Sequence, residues 1–400
     1  MNFLLKLKNI LRPAYHFLKY CIRVIKEAIV YPCRFLPLQN KIVFINFFGR
    51  GLGDDPKYIL LELLRRRIDA ELVWLSNNKH EKVPEGVKVV KYRSFMAHYH
   101  WYTACVWVDN CKSTYRPMKR KGQFYLQTWH GTLPLKKVEK EVEDFLSKRY
   151  KAKAIKESPT IDLMYCNNNV HLNMFKNTFW YNGPVLKCDV PREVPLLQKG
   201  SSIKDDIYNF WGIEKTKKII LYAPTFRSDF QIDIYVWDYQ RIIKAIEEKF
   251  KSEFVMILRL HPNIAQKCNE IAYGDNIING SRYPDMQELL AASDVMINDY
   301  SSTQFEFVMI RKPVFLYCPD IINYRKNDRP WVFEPEELPY SYATNIEGLE
   351  KNIYDFDDAG YQEKCEMFLN KIGFEDQGNG DKVIADIVMK QLKKFKNGEC

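Results

Sequence analysis

Gln123-Phe124-Tyr125-Leu126-Gln127-Thr128-Trp129-His130-Gly131-Thr132 is a short apolar run that ends on an imidazole and a glycine. It reads as a strand, Gln123 to Trp129, that leaves its sheet at His130. A second run of the same kind, Phe254 to Leu260, ends on His261-Pro262. Three further polar segments follow apolar runs: Gly49 to Asp55 after Lys41 to Phe48, Ala223 to Arg227 after Lys218 to Tyr222, and Asn298 to Ser302 after Asp294 to Ile297. Short apolar strands alternating with helices argue for parallel sheets covered on both faces. In such open sheets ligands bind outside the carboxyl ends of the strands, where loops and helix N-termini reach them. The five polar segments are therefore expected to converge on one reaction site.

Working outward, the first half reads as strand Lys41 to Phe48, helix Pro56 to Arg67, strands Ala70 to Leu75 and Val87 to Tyr92, helix Ser94 to Ala104, and strands Cys105 to Asp109 and Gln123 to Trp129. A charged helix, Lys136 to Tyr150, and a strand, Thr160 to Cys166, follow. Tyr181 to Lys199, with Gly183, Pro184, Pro191 and Pro195, reads as a linker. The second half adds strands Lys218 to Tyr222, Phe254 to Leu260, Asp294 to Ile297 and Pro313 to Tyr317, separated by helices Trp237 to Phe250, Pro284 to Ala292 and Ser302 to Ile310. Four hundred residues exceed what one core usually organises. Two α/β domains are expected, 41–195 and 196–400, with a cleft between them. The last helix, Asp381 to Lys394, is grouped with the second domain, although its length suits either.

A formal charge of +10 suits an anionic partner such as nucleotide phosphates, nucleic acid or an acidic membrane surface. The ten cysteines are scattered singly, with neither Cys-x-x-Cys nor zinc-finger spacing, so no metal site or disulfide framework is indicated. Residues 1–40 carry Lys6, Lys8, Arg12, Lys19, Arg23, Lys26 and Arg34 against the single acid Glu27. Charge interrupts this stretch too often for a transmembrane span, which needs about 18 to 20 apolar residues. Lys19, Arg23 and Lys26 fall on one helical stripe, and Tyr15, Phe17, Leu18, Cys21, Ile22, Ile25 and Ile29 fill the other faces. The pattern fits a basic amphipathic helix lying on an anionic leaflet. A helix packed on the first domain is the alternative.

Ser301 and Ser302 stand where the helix Ser302 to Ile310 should begin, and such a terminus attracts phosphate through free N–H groups and dipole. Ordinary capping explains the serines taken alone; with Asp299, Thr225, Arg259 and His261 at adjacent strand ends, phosphate binding gains weight. Arg259 and His261, two residues apart, can share one side of the sheet and neutralise a diphosphate, with Arg227 adding donors. His130 titrates near neutrality and can take a proton from an attacking hydroxyl, Gly131 gives a tight turn, and Thr132 and Lys136 follow. Gly49-Arg50-Gly51-Leu52-Gly53 has the spacing Gly-x-Gly-x-Gly and so reads as a flexible acceptor-side loop rather than a dinucleotide cradle. Asp54 and Asp55 can cap the helix beginning at Pro56.

Together, Gly53-Asp54-Asp55-Pro56-Lys57, Gln127-Thr128-Trp129-His130-Gly131-Thr132, Tyr222-Ala223-Pro224-Thr225-Phe226-Arg227, Leu258-Arg259-Leu260-His261-Pro262 and Asn298-Asp299-Tyr300-Ser301-Ser302 resemble the CDP-glycerol glycerophosphotransferase family of teichoic-acid primases and polymerases. The similarity runs from about Lys41 to the chain end. Leu133, Glu306 and Asn327-Asp328 depart from the common pattern. The resemblance implies two Rossmann-like domains in the GT-B arrangement, the first for the acceptor and the second for the CDP donor, and peripheral attachment to the cytoplasmic membrane face. It implies transfer of glycerol phosphate from CDP-glycerol to a lipid-linked saccharide or polymer acceptor, with CMP released and no nucleic acid involved. His130 and His261 would be catalytic. Thr225, Arg227, Arg259, Asp299, Ser301, Ser302 and Glu306 would serve the donor diphosphate, and Gly51, Gly53, Asp54, Asp55, Gly131, Thr132 and Lys136 the acceptor side. No cofactor is required, and Mg²⁺ riding on the donor stays open. The alternatives are a CDP-ribitol enzyme, a sugar-nucleotide glycosyltransferase of the same architecture and a catalytically silent membrane scaffold.

Overall fold

The computed structural model describes residues 28–399 apart from 114, 199–201, 228–231 and 272. The stripe Lys19, Arg23 and Lys26 lies outside the described residues. Strands β1 (Gln39–Ile45), β2 (Glu71–Ser76), β3 (Val87–Lys91), β4 (Ala104–Asp109) and β5 (Phe124–Gln127) form a parallel sheet in the order β3-β2-β1-β4-β5. A two-stranded ribbon, β6 (Met164–Cys166) and β7 (Val185–Lys187), extends its β5 edge through a Leu126–Leu163 bridge. The second parallel sheet contains β8 (Lys218–Tyr222), β9 (Phe254–Leu258), β10 (Ile277–Asn279), β11 (Val295–Asn298), β12 (Val314–Tyr317) and β13 (Tyr342–Ala343), ordered β10-β9-β8-β11-β12-β13.

Alternation along each strand divides the cores. Ile42 and Phe44 join Ile59, Leu63 and Trp74 on one face of the first sheet, while Val43 and Ile45 join Trp101, Trp107 and Phe175 on the other. In the second sheet Ile219 and Leu221 pack opposite to Ile220 and Tyr222. Side chains two apart share a face, so a sheet covered on both sides needs these continuous apolar runs. In both sheets the chain order reverses beside a central strand, β1 or β8, which opens a crevice at the carboxyl ends there. The two crevices face each other across the cleft, as expected for two Rossmann-like halves.

Packing changes three expected elements. The last helix, Gly380–Lys396, lies on the first sheet rather than with the second domain: Ile384, Ala385, Val388 and Leu392 form a helical stripe against the core holding Ile42 and Phe44. The expected helix Lys136 to Tyr150 is instead an extended crossing, a 3₁₀ turn Glu139–Phe145 and a helix Lys148–Glu157 capped by Ser147. Leu133 and Leu135 are the cause, because both insert into the core of the second sheet and carry the chain across, with Lys136 bridging Trp331. The helix expected from Ser302 starts at Gln304, behind a turn containing Ser302 and Thr303.

Candidate active site

Between the two sheets lies a cavity of about 340 Å³. Asn46, Phe47, Arg50, Gly53, Asp54, His130, Gly131 and Arg192 line it from the first half and the linker. Ala223, Pro224, Arg259, His261, Asp285, Gln287, Ser301, Ser302 and Thr303 line it from the second. Strand-end loops after β1, β5, β8, β9 and β11 thus meet as expected.

His130 is held by a backbone bend. Trp129, at φ 59°, and Gly131, at φ 80°, both adopt the left-handed region, which is strained for a tryptophan and natural for a glycine. An added Cβ at Gly131 would meet the Ser302 hydroxyl at 3.4 Å, an ordinary contact, so it is the left-handed backbone that calls for glycine here. The His130 ring stacks on Trp129, with centroids 4.3 Å apart, and meets Phe47 at 5.0 Å. Its Nδ1 lies 2.8 Å from the Asn110 carbonyl oxygen. A carbonyl only accepts, so Nδ1 carries the proton and Nε2 keeps its lone pair. Burial lowers the pKa of His130, against the opposing field of Asp54, and keeps the ring neutral near pH 7.

His261 has the opposite tautomer. The Asn263 backbone N–H donates to its Nδ1 at 3.2 Å, so in the neutral ring Nε2 carries the hydrogen. Burial, followed by Arg50, Lys136 and Arg259, pushes its pKa down to about 4. In the free protein near pH 7 it is therefore a neutral donor. Arg259 supplies charge instead. It donates to the Tyr283 carbonyl at 2.6 Å and forms no ion pair among the described residues. Burial lowers its pKa to about 10, which leaves it protonated at neutrality. Arg50 reaches across the cleft to Asn263 Oδ1 at 3.1 Å and adds a second cation.

Several expected ligand contacts lie behind the wall. Arg227 spends its guanidinium on Asp320, at 2.8 and 3.1 Å, and on Asp299, at 2.9 Å, while facing the rings of Tyr300 and Tyr324. Asp299 also accepts from the Thr225 backbone at 2.8 Å. Both therefore brace the β8 and β11 loops, and the guanidinium is committed mainly to these carboxylates. Thr225 is absent from the cavity lining that Ala223 and Pro224 form, and its buried hydroxyl has no hydrogen-bond partner among the described residues. Lys136 pairs with Asp328 at 2.8 Å, and Thr132 donates to Glu193. Glu306 is fully buried and receives Arg192 Nη2 at 2.6 Å rather than a ligand. Gly51, at φ 80°, shapes the β1 loop, and Asp55 Oδ1 accepts the Arg192 backbone N–H at 2.8 Å. Ser301 and Ser302 do face the cavity, but from the turn before a short helix; Ser301 Oγ lies 3.0 Å from Thr303 Oγ1.

Sequence reasoning missed Arg192, Asn110, Arg50 and Lys57. Arg192 stands in the expected linker, and a charged pair between Pro191 and Pro195 in a segment crossing between domains was its only signal. Asn110 follows β4 and obeys the same strand-end rule, but an asparagine has no titratable signature. Lys57 joins the halves through Asp285 at 2.6 Å and Glu288 at 2.5 Å, and these partners keep its pKa raised despite the opposing effect of burial. Among the described residues, no cluster of three or more His, Cys, Asp or Glu side chains could hold a metal ion, and no helix is long and apolar enough to cross a membrane.

A family model described as CDP-Glycerol:Poly(glycerophosphate) glycerophosphotransferase matches residues 31–390. Over 367 residues the chain is 28% identical to the teichoic acid poly(glycerol phosphate) polymerase of Staphylococcus epidermidis, covering 88% of this chain and 51% of that protein. The chain thus spans about half the length of that relative. It is 27% identical over 372 residues to the teichoic acid glycerol-phosphate transferase of Staphylococcus aureus, covering 89% of this chain and 94% of that one. The fold superposes on the solved wall teichoic acid polymerase TagF with a TM-score of 0.81 and 27% identity, covering 96% of this chain and 98% of that one.

Proposed function

The chain belongs to the CDP-glycerol:poly(glycerophosphate) glycerophosphotransferase family, and from that premise we propose that it transfers glycerol phosphate from CDP-glycerol to a hydroxyl of a membrane-linked acceptor and releases CMP. The observation that carries this reading is the pair of imidazoles lining one cavity from its two sides, His130 protonated on Nδ1 and His261 on Nε2, with no partner for either Nε2 among the described residues. His130 takes the proton of the acceptor hydroxyl as its oxygen attacks the phosphorus bearing glycerol. The bond from that phosphorus to the bridging oxygen breaks, and its electron pair leaves with CMP. His261 and Arg259 donate to the diphosphate and meet the charge that develops on CMP. The Ser301-Ser302 turn and Arg50 close the same space. Phosphoryl transfer asks the protein mainly for positioning and electrostatics, which suits this set. Any Mg²⁺ would arrive on the donor diphosphate, and chelator titration of the turnover assay tests that point.

In this reading the first half, with the last helix, holds the acceptor and the second half holds the donor. A product assay tests the chemistry. CDP-glycerol labelled in its cytidine phosphate is expected to yield CMP, with the glycerol phosphate passing to the acceptor; CDP-ribitol and sugar nucleotides are expected to turn over poorly. Release of a nucleoside diphosphate from a sugar nucleotide would replace the reading with glycosyl transfer, and preference for CDP-ribitol would change the donor.

Peripheral attachment at the cytoplasmic membrane face is proposed through the basic N-terminal segment. Within its described part, Ile29, Tyr31 and Phe35 stand exposed, Phe35 at 75%. Each cation near an anionic leaflet is worth about 1 kcal/mol and is screened by salt. Replacing Lys19, Arg23 and Lys26 together with Glu is expected to release the protein from anionic vesicles while sparing turnover on a short soluble acceptor analogue. Salt-insensitive sedimentation that survives the substitutions would place the contact elsewhere. Loss of soluble activity would favour a helix packed on the first half.

A further inference from the structure

We propose that Arg192 is a positioning residue that orients His130 only while the two halves of the molecule are docked. The proposal rests on the functional reading above for its catalytic meaning. Its geometry is independent of that reading. Arg192 Nη2 donates to Glu306 Oε1 at 2.6 Å and to Gln287 Oε1 at 3.2 Å, both in the second half. Its Nη1 donates to Asp54 Oδ1 at 2.8 Å in the first. Asp54 Oδ2 accepts from Asn110 Nδ2 at 2.7 Å, and the Asn110 carbonyl accepts His130 Nδ1–H at 2.8 Å. Asn110 is fixed further by Asn46 Oδ1, at 2.7 Å, and by the Phe47 N–H donating to its Oδ1 at 2.8 Å. An unbroken series of hydrogen bonds thus joins the helix behind the Ser301-Ser302 turn to the ring nitrogen that sets the tautomer of His130.

Two features separate this series from ordinary packing. Arg192 is the cation placed among four buried carboxylates, Asp54, Asp55, Glu193 and Glu306, drawn from both halves and the linker. Burial, aided by neighbouring carboxylates, raises the pKa of Asp55 and Glu193. Asp54 moreover holds a left-handed backbone, φ 57°, at the first turn of its helix, a strained conformation that presents one carboxylate oxygen to Arg192 and the other to Asn110. Arg192 borders the cavity, and the bonds its Nη atoms make run to Asp54, Gln287 and Glu306, so its proposed action runs through His130. The charged or titratable groups facing His130 are Asp54, Arg192, Glu139, the Cys111 thiol and His171.

Arg192→Lys keeps the charge and loses the two-pronged grip, whereas Asp54→Asn keeps the shape and loses the charge. Nitrogen-detected NMR of the histidine rings in the ligand-free protein is expected to show His130 as the Nδ1–H tautomer in the wild type and as a mixture in both variants. Turnover of Arg192→Lys is expected to fall about 10²-fold with CDP-glycerol affinity unchanged, the penalty of a misplaced catalytic group. Asp54 supports the protonated form of His130, so Asp54→Asn is expected to move the acid limb of the turnover profile to lower pH; Arg192→Lys should leave that limb in place. A wild-type tautomer and pH profile in Asp54→Asn overturns the proposal, as does a lowered melting temperature in Arg192→Lys with unchanged turnover. If Arg192→Lys does not fold, Asp54→Asn decides alone. If the wild type releases no CMP, the functional reading fails while the NMR arm still decides the positioning role.

Discussion

Replacing His130 with alanine is expected to lower turnover by about 10²- to 10⁴-fold while leaving CDP-glycerol affinity nearly unchanged. The size follows from removing the proposed general base, and the unchanged affinity from its proposed place on the acceptor side; Nδ1 is tied to Asn110 and the residue lines the cavity. The pH dependence follows with a definite sign. Burial lowers the pKa of His130 below its usual 6.5, so the lone pair is present above that lowered value and is lost as pH falls through it. The acid limb of wild-type turnover should therefore be centred below pH 6.5. His130→Ala should lose the part of that limb due to His130. Rapid-quench measurement of CMP formation across pH, beside calorimetry of donor binding, checks both halves. Wild-type turnover in His130→Ala with a natural acceptor would remove the base from this residue.

The architecture was legible because parallel sheets write themselves into sequence as short apolar runs, and Lys41 to Ile45 or Phe254 to Leu258 leave little else to be. The site was legible for the same reason, since a polar segment directly after such a run has few structural uses. His130, Gly131, Arg259, His261, Ser301 and Ser302 all reach the cavity. What could not be read is how charges are divided. Nothing in Thr225-Phe226-Arg227 tells that Asp320, almost a hundred residues on, will claim the guanidinium. Nor does Glu306 announce that it serves an arginine from the linker. The path of the last helix is also hidden, because its stripe of Ile384, Val388 and Leu392 would suit either sheet, and the choice belongs to tertiary packing. The crossing at Leu133 and Leu135 fails for a related reason: two leucines beside a proline read as local structure until the second core is there to receive them.

His261→Ala is expected to weaken CDP-glycerol binding by about 10- to 100-fold as well as to slow turnover, the loss appropriate to a hydrogen bond made to a charged group. The free protein holds His261 neutral, with its pKa pushed to about 4 by burial and by Arg50, Lys136 and Arg259. A diphosphate bound against Nε2 reverses that field and raises the pKa in the complex. A group whose pKa is higher in the complex contributes fully below its free value and loses that contribution as pH rises through the bound value. Donor affinity should therefore tighten as pH falls from neutrality toward 4, the diesterified diphosphate staying ionised throughout. Binding should take up protons in proportion. Calorimetry in two buffers of different ionisation heat reads that uptake directly, and His261→Ala should remove its share while Arg259 continues to supply a fixed positive charge. If donor affinity and proton uptake survive in His261→Ala while turnover collapses, His261 acts on the attacking or departing oxygen instead of on the bound diphosphate. If donor affinity falls in His130→Ala instead, the two imidazoles exchange roles.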